Sequence, residues 1–124
     1  MDLAPRRFGD TVVLHPVGRI DYATADAFAD ALFAHLDGCA AGQDRVVLDM
    51  SGVQYIASAG LRALMLASKR VKRQGGVIVI AAMQEVVQEI FEISKFTLLF
   101  DTFPSVREAL AKSSPTALAA FDAS

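Results

Sequence analysis

Two hydrophobic periods alternate along the chain. Residues 11–18 (TVVLHPVG) are apolar and β-branched and read as a strand, and Pro16 within them marks an edge or a bulge. From Asp21 to Gly38 the apolar positions switch to helical spacing, with Ala25, Phe28, Ala29, Leu32 and Leu36 on one side. Asp21 or Thr24 is available as its N-cap and Gly38 as its stop. Residues 45–50 (RVVLDM) form a short continuous apolar run, the pattern of a strand buried on both faces. Residues 51–58 read as a loop, and a helix is predicted from Ala59 to Gln74, ended by Gly75 and Gly76. Residues 77–81 (VIVIA) are the most β-prone stretch. A short helix over residues 84–94 follows, with Val86, Val87, Ile90 and Phe91 as its buried stripe. Residues 96–103 hold a last short strand, and Ser105 with Glu108 forms a capping box that opens a final helix to Lys112.

Strands alternating with helices imply an α/β or mixed α+β sheet with right-handed crossovers. The clearest βαβ unit joins residues 46–48 to residues 77–80 through the helix at 59–74. There is no repeat and no internal linker, so residues 1–112 read as one domain. Residues 113–124 are small and polar and are expected to form a disordered C-terminal tail, with Leu118 and Phe121 as its only docking residues.

Composition narrows the function classes. A chain of 124 residues with 53% hydrophobic and 21% charged residues has the content of a packed globular domain. Twelve basic against fourteen acidic side chains, net charge −2, argue against a dedicated nucleic-acid binder, which needs a basic excess to displace counterions. Cys39 is the single cysteine and cannot by itself make a disulfide or a thiolate metal site. The N-terminal residues show no signal-peptide apolar region, and no apolar run reaches the ~18–20 residues of a membrane span, so a cytoplasmic protein without membrane insertion is expected. His15 and His35 have no spacing of a ligand pair or catalytic dyad, and no phosphate-cradling glycine loop is present. No enzyme, no cofactor and no metal are therefore expected.

The segment of most chemical interest is residues 49–62 (DMSGVQYIASAGLR), where a buried strand ends at the carboxyl edge of the sheet and Ser58 precedes a helix. On position alone Ser58 reads as an N-cap. The same placement suits a reversible phosphate, which would face free N–H groups and the positive end of the helix, with Arg62 one turn on. At ~100° per residue, Leu61, Leu64, Met65, Ala67, Ser68 and Val71 share the core side, and Arg62, Leu66, Lys69 and Arg73 cluster opposite. Cations late in the helix complement its negative end, and Leu66 among them suits a modest protein interface.

These residues resemble the STAS domain family of bacterial anti-sigma factor antagonists, also called anti-anti-sigma factors. Gly18-Arg-Ile-Asp-Tyr-Ala-Thr-Ala25 is similar to the motif leading into the family's first helix, Gly-x-Leu/Ile-Asp-x-x-Thr/Ser-Ala. Residues 46–61 (VVLDMSGVQYIASAGL) are similar to its central motif of apolar strand, Asp-x-Ser-x-Val-x-x-Ile and Ser-x-Gly-Leu. Residues 75–80 followed by 86–91 are similar to its later strand–helix pair. The resemblance implies a small mixed sheet of four to five strands packed on one side by about four helices. It also implies partner switching: the unmodified protein binds an anti-sigma factor with serine-kinase activity and frees a sigma factor. Phosphorylation by that kinase releases it, and a serine phosphatase resets it. Ser58 takes the place of the phosphoacceptor and Asp21 that of the first-helix aspartate, which contributes to the partner surface. The surface expected to bind the partner is Asp21, Ala57, Ser58, Ala59, Gly60, Leu61, Arg62 and Leu66. Where the family often carries Asp-Ser-Ser-Gly, this chain reads Ala57-Ser58-Ala59-Gly60, which keeps the acceptor hydroxyl but removes its acidic neighbour. The alternative within the same family is a docking subunit of a transporter ATPase or a larger signalling assembly. The protein itself is expected to be a monomer or a weak dimer.

Overall fold

A single proline decides how the first strands are divided. In the computed structural model, which describes residues 1–124, β1 (Arg6–Phe8) and β2 (Thr11–Leu14) form an antiparallel hairpin and β3 (Val17–Ile20) begins anew after Pro16. The run expected as one strand is thus two. Pro16 has no N–H to give a ladder, so β2 stays in the main sheet while β3 leaves to pair elsewhere. Its partner is β5 (Gly52–Ile56), a strand within residues expected to be loop. Only Val53 and Ile56 of β5 are buried, a spacing of three that hides the strand from a period-two reading. The β3–β5 register shifts between Gly18 and Arg19, where Gly18 takes a φ of +99° that side-chain-bearing residues avoid.

The main sheet has the order β1-β2-β4-β6-β7, with β4 (Arg45–Asp49), β6 (Val77–Ala81) and β7 (Thr102–Phe103) parallel to β2. Val46, Val47 and Leu48 of β4 are all fully buried, as a continuous apolar run predicts. Alternate side chains feed two separate cores. Leu14, Val46, Leu48 and Ile80 pack with α1 (Ala25–Phe33), α2 (Ser58–Arg73) and α3 (Glu85–Ile93). Val13, Val47, Val79 and Ala81 pack with α4 (Val106–Ser113) and α5 (Pro115–Asp122). Helices therefore cover both faces and not one, because β4 and β6 present apolar residues in both directions.

Residues 113–124 are not a disordered tail. The buried Ser114 caps α5, its hydroxyl oxygen accepting from the Ala117 N–H at 3.1 Å while the hydroxyl donates to Asp10 at 2.6 Å. Pro115 occupies the first turn, Ala117 is fully buried, and the Phe121 ring meets Phe8 edge-on at 5.2 Å between centroids. The Ser105 cap opens α4 as expected, accepting from the Glu108 N–H at 3.1 Å. Two smaller differences follow from packing. The α1 helix stops at Phe33, short of Gly38, although Leu36 remains buried, and Val86 faces solvent while Val87 and Phe91 fill the core.

Candidate functional site

The site forms where β3 and β5 end side by side. The Ala57 N–H donates to the Ile20 carbonyl at 2.8 Å, joining the turn after β3 to the start of α2. This bond holds Ala57 extended, at φ −86° and ψ 171°, and makes it the N-cap residue of α2. Ser58 is consequently the first helical residue and not the cap, and its side chain makes no capping bond. The hydroxyl is exposed and meets the Tyr22 hydroxyl at 2.9 Å. The first intrahelical bond runs from the Leu61 N–H to the Ala57 carbonyl, which leaves the N–H groups of Ser58, Ala59 and Gly60 at the positive end of a helix of 16 residues.

Gly60 sets the depth of that helix end. It is buried, and a Cβ at this position would lie 2.7 Å from Ile20 Cγ2 and 2.7 Å from Ile56 Cγ1. The backbone of α2 can rest on the ends of β3 and β5 because this residue has no side chain.

Asp21 organises the neighbouring turn. One carboxylate oxygen accepts from the N–H groups of Ala23 at 3.0 Å and Thr24 at 3.2 Å, and its carbonyl accepts from the Ala25 N–H at 2.8 Å. Thr24 is the N-cap residue of α1 by position, yet its hydroxyl donates to the Arg19 carbonyl at 2.8 Å. Asp21 is thus the residue whose side chain satisfies the free N–H groups leading into α1, and Tyr22, 77% exposed, stands at the tip of the turn over Ser58. Beside it the Arg19 guanidinium covers the Tyr55 ring at 4.6 Å, a contact set by their pairing across β3 and β5.

The other expected residues fall along α2. Ala57 and Gly60 are buried, Ala59 and Leu61 are half-buried, and Arg62 and Leu66 are exposed. Arg62 makes no ion pair, and Leu66, 41% exposed, lies about one turn beyond it on the same face as Lys69 and Arg73. The structure thus joins the Asp21 turn to Ser58 and leaves Leu66 apart, along the helix. Sequence reasoning missed Tyr22, whose only signal is its place directly after Asp21 in an otherwise small-residue turn. Cys39 is buried and inert: burial pushes its thiol pKa up, and the sulfur donates to the Val77 carbonyl at 3.3 Å. No helix is long and apolar enough to cross a membrane.

Comparison with known proteins places this geometry. Residues 3–109 match the family model of the STAS domain. The chain is 39% identical over 101 residues to BtrV of Bordetella bronchiseptica, assigned as an anti-sigma factor antagonist, covering 82% of this chain and 84% of that protein. Its fold is similar to an anti-sigma factor antagonist of Thermotoga maritima, with a TM-score of 0.79 at 20% identity over 89% of this chain and 92% of that one. It is also similar to the phosphorylated form of the Bacillus cell fate determinant SpoIIAA, with a TM-score of 0.62 at 12% identity over 87% of this chain and 96% of that one. With the family model spanning both the Asp21 turn and the Ser58 helix end, this chain belongs to the STAS domain family.

Proposed function

We propose that this protein is an anti-sigma factor antagonist that works by partner switching. In its bare form it binds an anti-sigma factor with serine-kinase activity and so frees a sigma factor. The kinase transfers a phosphoryl group from ATP to the Ser58 hydroxyl, ADP leaves, and the modified protein lets go until a serine phosphatase hydrolyses the ester. The observation that carries this reading is the exposed Ser58 hydroxyl at the start of α2, joined to the Asp21 turn through Tyr22. A dianion there meets the positive helix end, so the fold tolerates it. The identity to BtrV supports the partner class, and SpoIIAA, solved in both phosphorylated and unphosphorylated forms, supports the compatibility of the fold with both states.

Chemistry at the interface then decides the exchange. Phosphorylation adds roughly −1.5 to −2 charges, and an unpaired buried charge at an interface costs about 2–5 kcal/mol. About 3 kcal/mol already weakens binding more than a hundredfold. The test is incubation with the kinase and ATP followed by intact mass: wild type gains one phosphate and Ser58→Ala gains none. Phosphate on the Ser58→Ala protein would falsify the acceptor assignment.

A further inference from the structure

The chain's basic charge is concentrated on one helix. Five of its twelve basic side chains, Arg62, Lys69, Arg70, Lys72 and Arg73, lie on α2, which holds none of the fourteen acidic ones. Of these only Arg70 is ion-paired, with Asp37. Complementing the helix C-terminus accounts for the cations of the last turn. It does not account for Lys69 or Arg62, which lie further back, nor for what the cations surround. Phe33 of α1 and Leu66 of α2 line a shallow groove of about 600 Å³ whose remaining lining is Lys69, Arg70, Lys72 and Arg73. The Arg70 guanidinium lies over the Phe33 ring at 5.6 Å, so even the paired cation helps to shape the groove.

We infer that this groove docks an acidic segment of the kinase partner, one apolar side chain seated between Phe33 and Leu66 and carboxylates set against the flanking cations. The inference rests on the partner-switching reading and adds to it a second contact, remote from the switch. Along the helix Leu66 lies ~12 Å and Arg73 ~22 Å from Ser58. Both distances exceed the Debye length of ~8 Å at physiological salt, so a phosphate on Ser58 acts on one end of the interface and leaves the groove's field nearly intact. A protein segment fits better than a polyanion. The apolar floor of Phe33 and Leu66 serves a partner with apolar side chains, which a phosphate backbone does not supply.

The experiment titrates the full chain against the anti-sigma factor kinase captured with it from its host, between about 0.05 and 0.5 M salt, and follows phosphoryl transfer in parallel. Lys69→Glu/Arg73→Glu is expected to lower affinity at least tenfold at low salt, narrowing to about two- to threefold at high salt, with the gentler Lys69→Gln/Arg73→Gln between. Leu66→Ser should lose about fivefold at both salts. In transfer kinetics KM rises and kcat stays within about twofold, because the groove does not touch the reacting hydroxyl. Unchanged affinity and salt slope in both double variants, or a fall in kcat with KM intact, overturns the docking. So does binding of phosphatidylglycerol vesicles to wild type and not to the Glu variant while kinase affinity is unchanged, which assigns the groove to anionic lipid. Failure of the wild-type chain to bind the kinase at all overturns the partner-switching reading, and the docking with it.

Discussion

Gly60→Ala tests whether the helix that presents Ser58 is held at its depth by the absence of one side chain. The new methyl would sit 2.7 Å from Ile20 Cγ2, 2.7 Å from Ile56 Cγ1 and 3.1 Å from Ile56 Cδ1. Carbons in contact prefer about 3.5–4.0 Å, so most of an ångström has to be recovered by movement. The obstacles are poor at giving way. Ile20 and Ile56 are 0% and 1% exposed, and β-branching fixes the Cγ atoms at χ1. Replacing glycine by alanine within a helix gains about 1 kcal/mol of propensity, while overpacking a filled core costs about 1–3 kcal/mol. With two contacts this short the clash stands near the upper end, and the net loss is about 1–2 kcal/mol. For a domain of this size that lowers Tm by about 4–8 °C, read by circular dichroism. In an Ile56→Ala background the same substitution should cost less, since the methyl then enters vacated space. Equal or greater stability of Gly60→Ala, or full additivity with Ile56→Ala, would refute the close approach.

Three further substitutions probe the site and the second core. Ser114→Ala removes the α5 cap and the hydroxyl that Asp10 accepts from, and should cost about 2 kcal/mol by urea unfolding; an unchanged midpoint would mean α5 contributes nothing. The Ser114 hydroxyl, ahead of Thr11 and Arg45, holds the Asp10 carboxyl below its usual range. Asp10 therefore stabilises the fold above the unfolded carboxylate pKa and loses that contribution as pH falls through its lower folded value. The Ser114→Ala penalty should accordingly be full near pH 7 and shrink below about pH 4; a penalty that grows on acidification contradicts this sign. Tyr22→Phe deletes the hydroxyl partner of Ser58 and should change the rate of phosphoryl transfer several-fold with the melt unmoved; identical transfer kinetics would leave that bond without a role. Asp21→Asn keeps an oxygen to accept from Ala23 and Thr24 and should melt as wild type does, whereas Asp21→Ala should lose about 1 kcal/mol; equal stability of the two would show that the turn does not need the acceptor.

What the sequence made legible is what local physics decides. The run at β4, the cap at Ser105 and the division of α2 into a core side and a basic side follow from a few adjacent residues. The small β3–β5 sheet was not legible, because Gly52–Ile56 becomes a strand through pairing with a segment more than thirty residues earlier. Helix α5 was hidden for a similar reason. Its residues are small, with low intrinsic amphipathicity, and what orders it is Asp10 reaching Ser114 and Phe8 meeting Phe121 across nearly the whole chain. At the site, the serine and the aspartate turn were found by motif, but the contact between them was not. Tyr22 reaches Ser58 only because the Ile20–Ala57 bond brings the two segments together, and that same bond moves the cap from Ser58 to Ala57.

That one-residue shift bears on how a switch at Ser58 would work. A capping serine spends its oxygen on a backbone N–H, so modifying it exchanges one helix contact for another and couples phosphorylation to fold stability. Here the cap residue is an alanine, and the hydroxyl is bonded only to another exposed hydroxyl. Adding phosphate then removes nothing that holds α2 in place. A charge at the helix N-terminus is worth about 0.3–1 kcal/mol in its favour, whereas the same charge buried unpaired against a partner costs about 2–5 kcal/mol. The larger effect falls on the complex and the smaller on the free protein. In the proposed cycle, partner exchange is accordingly driven at the interface, with the domain itself serving as a rigid support in both states.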